Sequence, residues 1–262
     1  MGNILEIRNL KTGIRGTEGF REIVKNVNID LKEGDIHGIV GESGSGKTFT
    51  AKSILRLHDE ADIKYEGEII YNGVNLLSLS DKEVADYREK NISYVFQNPA
   101  GSFDNLFTVG SQIEETLRYV AGLGKKEARE KTYELLESVG VTPAKKRANQ
   151  YPYEFSGGML QRSMIALAIA CNPQILIADE ATTALDVTMQ ARVLQLFKKL
   201  RNEKGLSILC ITHDLGVVAE ICDTVTVMYQ GRVVETGSVR DIFNNPKHEY
   251  TKKLLKSFKE VS

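Results

Sequence analysis

Short apolar runs alternate with longer amphipathic stretches along most of the chain. The runs rich in Ile, Val, Leu and Tyr predict strands at ILEIRNL, EIVKNVNIDL, DIHGIVG, GEIIYNG, NISYVF, ILIAD, LSILCIT and TVTVMYQGRVVE. Apolar positions at helical spacing predict helices after the glycine-rich stretch 41–48, at 81–88, 108–139, 158–171, 187–203, 214–221 and 238–243, and at the C-terminal end. Strands alternating with helices predict an α/β fold with a mainly parallel sheet, and an antiparallel portion near the N-terminus.

The region 98–170 differs from the rest because its pattern is almost entirely helical. It separates the strand NISYVF from the strand ILIAD, as a helical subdomain inserted into an α/β core would do. We therefore expect a single domain over 1–262. Its core is formed by 1–97 and 171–262, and 98–170 form the helical subdomain.

Composition and charge exclude several classes of protein. A formal net charge of −1 with scattered Lys and Arg leaves no basic stripe, so nucleic acid is not expected as a partner. No run of eighteen apolar residues and no leader pattern is present, which predicts a cytosolic protein that reaches a membrane only through a partner. Cys171, Cys210 and Cys222 lie in apolar segments without CxxC spacing and are expected to be reduced core thiols.

The stretch GESGSGKT, at 41–48, follows the apolar run IHGIV and precedes a helical segment. It fits GxxxxGK[ST], in which Gly44 and Gly46 let backbone N–H groups wrap a phosphate without side chains intruding. Lys47 would reach the β- and γ-phosphates and Thr48 would ligate magnesium, at the positive end of the helix. The alternative is an ordinary Gly/Ser turn, which the flanking strand and helix disfavour.

The buried strand pattern ILIADE ends abruptly in two carboxylates, Asp179 and Glu180. Ligands of open α/β sheets bind at the C-terminal edge of the strands, so a polar ending there indicates a site. Asp179 is predicted to hold magnesium through water, and Glu180 to act as base or to position water. The alternative is a solvated strand end.

Three further polar positions are candidates at element ends. In EFSGGMLQR, Ser156 would cap a helix whose first residues are glycines, which makes a second anion site, although Ser-Gly-Gly alone more often only caps a helix. Gln97 follows the strand NISYVF and could touch magnesium or the attacking water. His213 follows the strand LSILCIT and could bond the γ-phosphate, against the alternative of a structural histidine.

In this order, GESGSGKT, VFQNP, FSGGMLQR, ILIADE, TALD and ITHD resemble the nucleotide-binding subunit of an ABC transporter, over about residues 4–255. The resemblance implies an ABC ATPase fold, ATP and Mg²⁺ as cofactors, and residues 183–186 as the D-loop. It implies that the nucleotide is bound by Gly41, Glu42, Ser43, Gly44, Ser45, Gly46, Lys47, Thr48 and Phe49, and by Ser156, Gly157, Gly158 and Met159 of the signature motif. It implies catalytic roles for Glu180, His213, Gln97 and Lys47, and magnesium ligands among Thr48, Gln97 and Asp179.

The same resemblance implies partners. Two such subunits pack head to tail, so that the signature of one closes over the ATP held by the other. The likeness is greatest to the importer branch for oligopeptides, dipeptides and nickel, on YPYEFSGGMLQR, DVTMQARVL, THDLGVVAE and NNPKHEYTKKLL. That branch implies a second, different ATPase subunit, two membrane permeases and an extracytoplasmic binding protein, with this chain peripheral on the cytoplasmic face of the membrane.

Several positions depart from the family pattern. The signature reads FSGGM where many members have LSGGQ, and Ala181 replaces the usual proline. The aromatic residue that stacks on adenine is expected near residue 14, which is Ile14, with Phe20 the nearest aromatic. No cysteine follows Cys222, so the iron–sulfur cluster of longer relatives is not expected, and together with SGGMLQR this favours nickel or metal chelates over peptides as cargo.

Two functions of other classes stay open at this point. A non-transport ABC ATPase for DNA repair or translation typically carries coiled-coil or basic segments, which this sequence lacks. A regulatory module with an inactive ATP site would not need Lys47, Asp179, Glu180 and His213 together, and an ATPase assay would separate it from a motor.

Overall fold

The computed structural model describes residues 2–16, 19–58, 62–183 and 185–261. The strands are β1 (Asn3–Gly16), β2 (Gly19–Lys32), β3 (Ile36–Val40), β4 (Ile63–Tyr71), β5 (Val74–Asn75), β6 (Ile92–Val95), β7 (Ile175–Asp179), β8 (Ser207–Thr212), β9 (Thr224–Tyr229) and β10 (Arg232–Ser238). The helices are α1 (Lys47–Ile54), α2 (Asp81–Lys90), α3 (Val109–Tyr119), α4 (Lys125–Ser138), α5 (Ala144–Arg147), α6 (Gly157–Ala168), α7 (Val187–Lys204), α8 (Leu215–Ile221), α9 (Val239–Asn244) and α10 (Glu249–Val261).

The chain divides into two compact units. One comprises Met1–Ala85 and Ser207–Ser262, and the other comprises Asp86–Leu206. The first unit contains the antiparallel sheet β2-β1-β4-β5, in which β1 and β2 pair from Asn3↔Lys32 to Gly16↔Gly19. This hairpin is longer than the apolar runs that predicted it, because its outer half carries exposed polar residues without regular alternation.

The first unit also contains a mixed group of strands around β3. Strand β3 pairs in parallel with β8 and β9, and β10 pairs antiparallel with β9. Every residue of β3 and of β8 is buried, as expected for parallel strands covered on both faces. Val40 is in register with Thr212, so β3 and β8 end side by side.

Helix α10 packs its apolar face on the core of this first unit. The cluster consists of Val40, Leu215, Val218, Val225, Val227, Ile242, Tyr250 and Leu255. Because Val40 is the last residue of β3, this cluster fixes the point at which the segment after β3 begins. The β9–β10 turn, predicted at Gln-Gly, has Gln230 and Gly231 at φ 48° and 81°, as a type I′ hairpin requires.

The second unit pairs β6 with β7 in parallel and carries α3 to α7. Tyr94 is in register with Ile177, and Val95 with Ala178. The helix predicted over 108–139 is two helices, α3 and α4, and that prediction was wrong. The chain leaves the helix after α3 because Gly122 adopts φ 71° and the Leu123 N–H bonds back to the Leu117 carbonyl.

The predicted α/β fold, with parallel strands, an antiparallel N-terminal portion and an inserted group of helices, is confirmed. The three cysteines are free thiols; Cys210 is buried, whereas Cys171 and Cys222 are partly buried. Among the residues that the structure describes, no helix has the length and apolar character needed to span a membrane.

Candidate functional site

The loop after β3 has a backbone that only glycine fits at two points. Gly41 has φ 155°, and a Cβ there would lie 2.2 Å from the Met228 carbonyl oxygen. Gly46 has φ 100° at the N-cap of α1, and no side chain caps that helix. The first-turn N–H groups of α1 are thus presented to the loop, which is the arrangement that binds anions at helix N-termini.

Lys47 is buried at the start of α1 and holds the loop closed on itself. Its Nζ donates to the Gly41 carbonyl at 2.7 Å and to the Glu42 carbonyl at 2.9 Å. The residue is 5% exposed. A buried ammonium held by these carbonyl oxygens can exchange them for phosphate oxygens, which carry full negative charge.

The loop is also held from outside by two contacts. The Gly231 N–H donates to the Ser45 carbonyl at 2.9 Å, which fixes the loop against the β9–β10 turn. The Glu42 N–H donates to the Tyr250 hydroxyl at 3.0 Å. Tyr250, on α10, stacks on Tyr229 with ring centroids 4.2 Å apart. Sequence reasoning missed Tyr250, which lies 208 residues from Glu42 in the chain.

The remaining loop residues are open or partly covered. Glu42, Ser43 and Gly44 are exposed, whereas Ser45 is buried. Thr48 and Phe49, the second and third residues of α1, are partly buried. The Phe49 ring contacts His58, with centroids 4.0 Å apart.

His213 lies at the same sheet edge as this loop. It directly follows β8, and the register Val40↔Thr212 places it beside Gly41 at the ends of neighbouring strands. The residue is exposed. Asp214, the next residue, caps α8 by accepting from the Gly216 N–H at 2.7 Å, which fixes the chain on the far side of the histidine.

In the second unit, two side chains at the end of β6 contact the two carboxylates at the end of β7. The Tyr94 hydroxyl donates to Asp179 Oδ2 at 2.8 Å. Gln97 Nε2 donates to Glu180 Oε2 at 2.7 Å. Asp179 is buried and Glu180 is partly buried. The structure thus brings together Gln97 and Glu180, which the sequence had singled out separately, and Tyr94 is an additional residue that the sequence did not single out.

Glu180 has an unusual backbone. Its φ is 50°, in the left-handed region that bulky residues rarely adopt. The Thr183 N–H donates to the Glu180 carbonyl at 3.2 Å and closes the turn that follows. Strain of this kind is concentrated at functional sites.

The signature segment forms an open helix N-terminus. Ser156 is the N-cap of α6, and its Oγ accepts from the Met159 N–H at 3.3 Å. A Cβ on Gly157 would meet no atom within 4 Å. Ser156 and Gly157 are exposed, and Gly158 and Met159 are partly buried. This edge therefore offers bare backbone to an external group.

The remaining predicted features are the D-loop and the residue that stacks on adenine. Of the D-loop, Thr183, Leu185 and Asp186 are described, and Ala184 lies outside the described residues. Ile14 is partly buried on β1 opposite Ile63, while Phe20 is 43% exposed beside Lys64, whose Nζ lies 5.8 Å from the ring centroid. Which of them meets a nucleobase stays a prediction.

The available oxygen donors suit magnesium bound together with a nucleotide. Among the described residues, no group of three or more His, Cys, Asp or Glu could hold a metal ion. Mg²⁺ in nucleotide sites typically takes only one or two protein oxygens and completes its shell with phosphate and water. The hydroxyl of Thr48, the amide of Gln97 and the carboxylate of Asp179 are donors of that kind.

Comparison with known proteins decides the family. The profile of the family described as "ABC transporter" matches residues 24–183. The chain belongs to this family. The predicted membership is confirmed, and the chain is an ATP-binding ABC ATPase.

Relatives along the whole chain support the same assignment. The probable peptide ABC transporter ATP-binding protein y4tR of Sinorhizobium fredii is 47% identical over 97% of this chain and 76% of its own length. The oligopeptide transport ATP-binding protein OppD of Bacillus subtilis is 46% identical over 97% of this chain and 71% of its own length.

Solved ABC structures share the fold. A dimeric ATP-binding cassette, MJ0796, in a post-hydrolysis state with ADP and Pi, is 31% identical with a TM-score of 0.81, over 90% of this chain and 99% of its own. The protein cbiO1 of Clostridium perfringens, part of the ABC transporter complex cbiONQ, is 24% identical with a TM-score of 0.78, over 100% of this chain and 98% of its own. The latter likeness concerns the fold alone.

Proposed function

We propose that this chain is the ATP-hydrolysing subunit of an ABC importer that takes up peptides. The observation that carries the proposal is the 46% to 47% identity, over 97% of the chain, to proteins named for peptide transport. The sequence-based preference for nickel or metal chelates finds no such support among these relatives and stays a prediction.

The nucleotide would be bound by the loop 41–48. Backbone N–H groups of the loop and of the first turn of α1 would donate to the phosphates, and Lys47 would leave the Gly41 and Glu42 carbonyls for the β- and γ-phosphates. Thr48 and Gln97 would hold Mg²⁺ directly, and Asp179 would hold it through water. When bound, the ion neutralises charge on the phosphate oxygens.

Hydrolysis would depend on Glu180 and His213. Glu180 would position the attacking water or accept its proton, with the orientation of its carboxylate set by the Gln97 amide. His213, beside Gly41 at the sheet edge, would donate to the γ-phosphate. The left-handed backbone at Glu180 supports this role because strained residues of this kind cluster at active sites.

The second half of the site would come from another, different ATPase subunit, packed head to tail. The open N-terminus of α6, with exposed Ser156 and Gly157, would close on ATP held by that partner. The dimeric state of the MJ0796 cassette is consistent with this arrangement. Two permeases and an extracytoplasmic binding protein would complete the importer, with this chain on the cytoplasmic face of the membrane.

The test is transport by the reconstituted assembly. Permeases, both ATPase subunits and the binding protein are placed in vesicles with ATP and Mg²⁺ on the ATPase side, and uptake of labelled peptides and of a nickel chelate is compared. We expect peptide uptake that depends on ATP and is lost with Glu180→Gln in this chain. Uptake of the nickel chelate but not of peptides would overturn the assignment of peptides as the cargo. ATP hydrolysis by a complete assembly that transports neither compound would overturn the importer role.

A further inference from the structure

Strand β6 supplies one hydrogen-bond donor to each carboxylate at the end of β7. Tyr94 is in register with Ile177, and Asp179 lies two residues further along β7 on the same face. The tyrosine side chain is long enough to reach forward along that face, and its hydroxyl meets Asp179 Oδ2 at 2.8 Å. Gln97 is three residues after Tyr94, and Glu180 is three residues after Ile177, so the second contact joins two residues that lie level with each other just past the strand ends.

The environment of this pair favours a fixed arrangement. Asp179 is 2% exposed. The Tyr94 ring is held by Phe96, with ring centroids 4.6 Å apart. A buried carboxylate that accepts from a neutral, sterically fixed hydroxyl has little freedom to rotate.

We propose that Tyr94 is a positioning residue of the ATPase site, whose hydroxyl fixes the orientation in which Asp179 meets magnesium. The proposal rests on the proposed function, because it assumes that Asp179 serves the metal. Partners that orient a ligating carboxylate are worth about 10- to 100-fold in metal affinity or activity. Phenylalanine at this position keeps the ring and its contact with Phe96 and removes only the donor.

The experiment compares Tyr94→Phe with wild type and with Tyr119→Phe. Tyr119 lies on α3 in the same unit and is 77% exposed, so its hydroxyl is a matched control without a carboxylate partner. Affinity for ATP is measured by calorimetry with Mg²⁺ and with EDTA. The Mg²⁺ concentration for half-maximal hydrolysis is measured with the second subunit present, and the melting temperature shows that each variant is folded.

For Tyr94→Phe we expect the gain in ATP affinity on adding Mg²⁺ to shrink by about 10-fold, while affinity in EDTA is unchanged. Half-maximal hydrolysis should require about 10-fold more Mg²⁺, with kcat restored at saturating Mg²⁺. Tyr119→Phe should match wild type in every measurement.

A Mg²⁺ dependence equal to that of wild type, in binding and in hydrolysis, would overturn the role of Tyr94, even if the melting temperature fell. If instead wild type itself bound ATP equally well with Mg²⁺ and with EDTA and did not hydrolyse it, the proposed function would fail, and the role of Tyr94 would fail with it. A second variant, Tyr94→Leu, removes the ring as well. It should show the same Mg²⁺ effect with a larger loss of thermal stability, which separates the hydroxyl from the packing.

Discussion

Gln97 Nε2 lies 2.7 Å from Glu180 Oε2, so a direct hydrogen bond joins the second residue after β6 to the first residue after β7. The amide is exposed and the carboxylate partly buried. A ligand or partner that displaces Gln97 therefore changes the orientation of Glu180 at the same time. The contact therefore connects the start of the chain segment between β6 and β7 to Glu180, the proposed base.

Glu180→Gln tests the role of that carboxylate. We expect turnover to fall by about 100-fold or more, as is typical when a positioned base is lost, while ATP binding is retained. Steady-state hydrolysis with the second subunit present, together with a nucleotide titration, measures both quantities. Turnover near the wild-type rate would remove Glu180 from the mechanism.

Gln97→Ala tests the contact itself. Without the amide donor, Glu180 Oε2 loses its 2.7 Å hydrogen bond, and we expect kcat to fall by about 10-fold with little change in ATP affinity in EDTA. Gln112→Ala is a suitable control, because that amide bonds to the Asp104 and Phe107 carbonyls and not to a site carboxylate. Equal kcat in both variants would show that the Gln97 contact is dispensable.

Lys47→Ala should weaken nucleotide binding itself. The loss of a buried ammonium that is proposed to reach the β- and γ-phosphates should lower ATP affinity by about 10-fold or more. A titration with a fluorescent ATP analogue measures the effect, and unchanged affinity would contradict the assignment of the loop 41–48 as the phosphate site.

Tyr250→Phe tests support of the loop from α10. The Glu42 N–H loses its hydroxyl acceptor, and a hydrogen bond of this kind contributes about 1 kcal/mol. We expect a loss of ATP affinity of up to about fivefold and a modest fall in melting temperature, with the stacking on Tyr229 preserved. Affinity and stability indistinguishable from wild type would show that the loop keeps its shape without this contact.

His37 predicts a pH dependence of stability. It is buried on β3, with ring nitrogens 2.7 Å from Thr224 Oγ1 and 2.9 Å from Thr226 Oγ1. Burial lowers its pKa from 6.5 to about 4, against a smaller opposing effect of Asp30. The unfolded chain therefore binds the proton first, so this contribution to stability is complete above pH 6.5 and is lost as the pH falls towards 4.

The corresponding loss is about 3 kcal/mol at most, at 1.36 kcal/mol for each unit of pKa. Chemical denaturation of wild type and His37→Gln between pH 7 and pH 4 measures it. The wild type should lose more free energy of unfolding over this range than the variant. Parallel curves for the two proteins would show that His37 does not titrate differently on folding.

Local sequence signals predicted much of the candidate site. The loop 41–48, the pair Asp179–Glu180 and the N-cap Ser156 each depend on a few consecutive residues, so a single segment carries the information. Tyr94 and Tyr250 could not be found this way, because their contacts join residues 85 and 208 positions apart. Such contacts depend on strand register and helix packing, which the hydrophobic pattern does not specify.

The fold, like the site, was predictable where a short segment carries the signal. Apolar runs identified β3, β7 and β8 because these strands are buried on both faces. The outer half of the β1–β2 hairpin and the break between α3 and α4 were not predicted. The outer half of the hairpin carries polar residues and so lacks an apolar run. The break between α3 and α4 depends on Gly122, and a glycine near a helix end does not by itself indicate a break.

In the proposed mechanism, the signature edge of a partner subunit completes the ATPase site. The most direct test is Ser156→Arg in this chain, which places a bulky side chain at the open N-terminus of α6 and leaves the loop 41–48 intact. Nucleotide binding by this chain alone and hydrolysis by the complex with its second ATPase subunit are measured on the same preparations. We expect unchanged nucleotide binding by this chain alone and a loss of hydrolysis of about 10-fold or more in the complex. Hydrolysis by the complex at the wild-type rate would show that the signature edge does not complete the site.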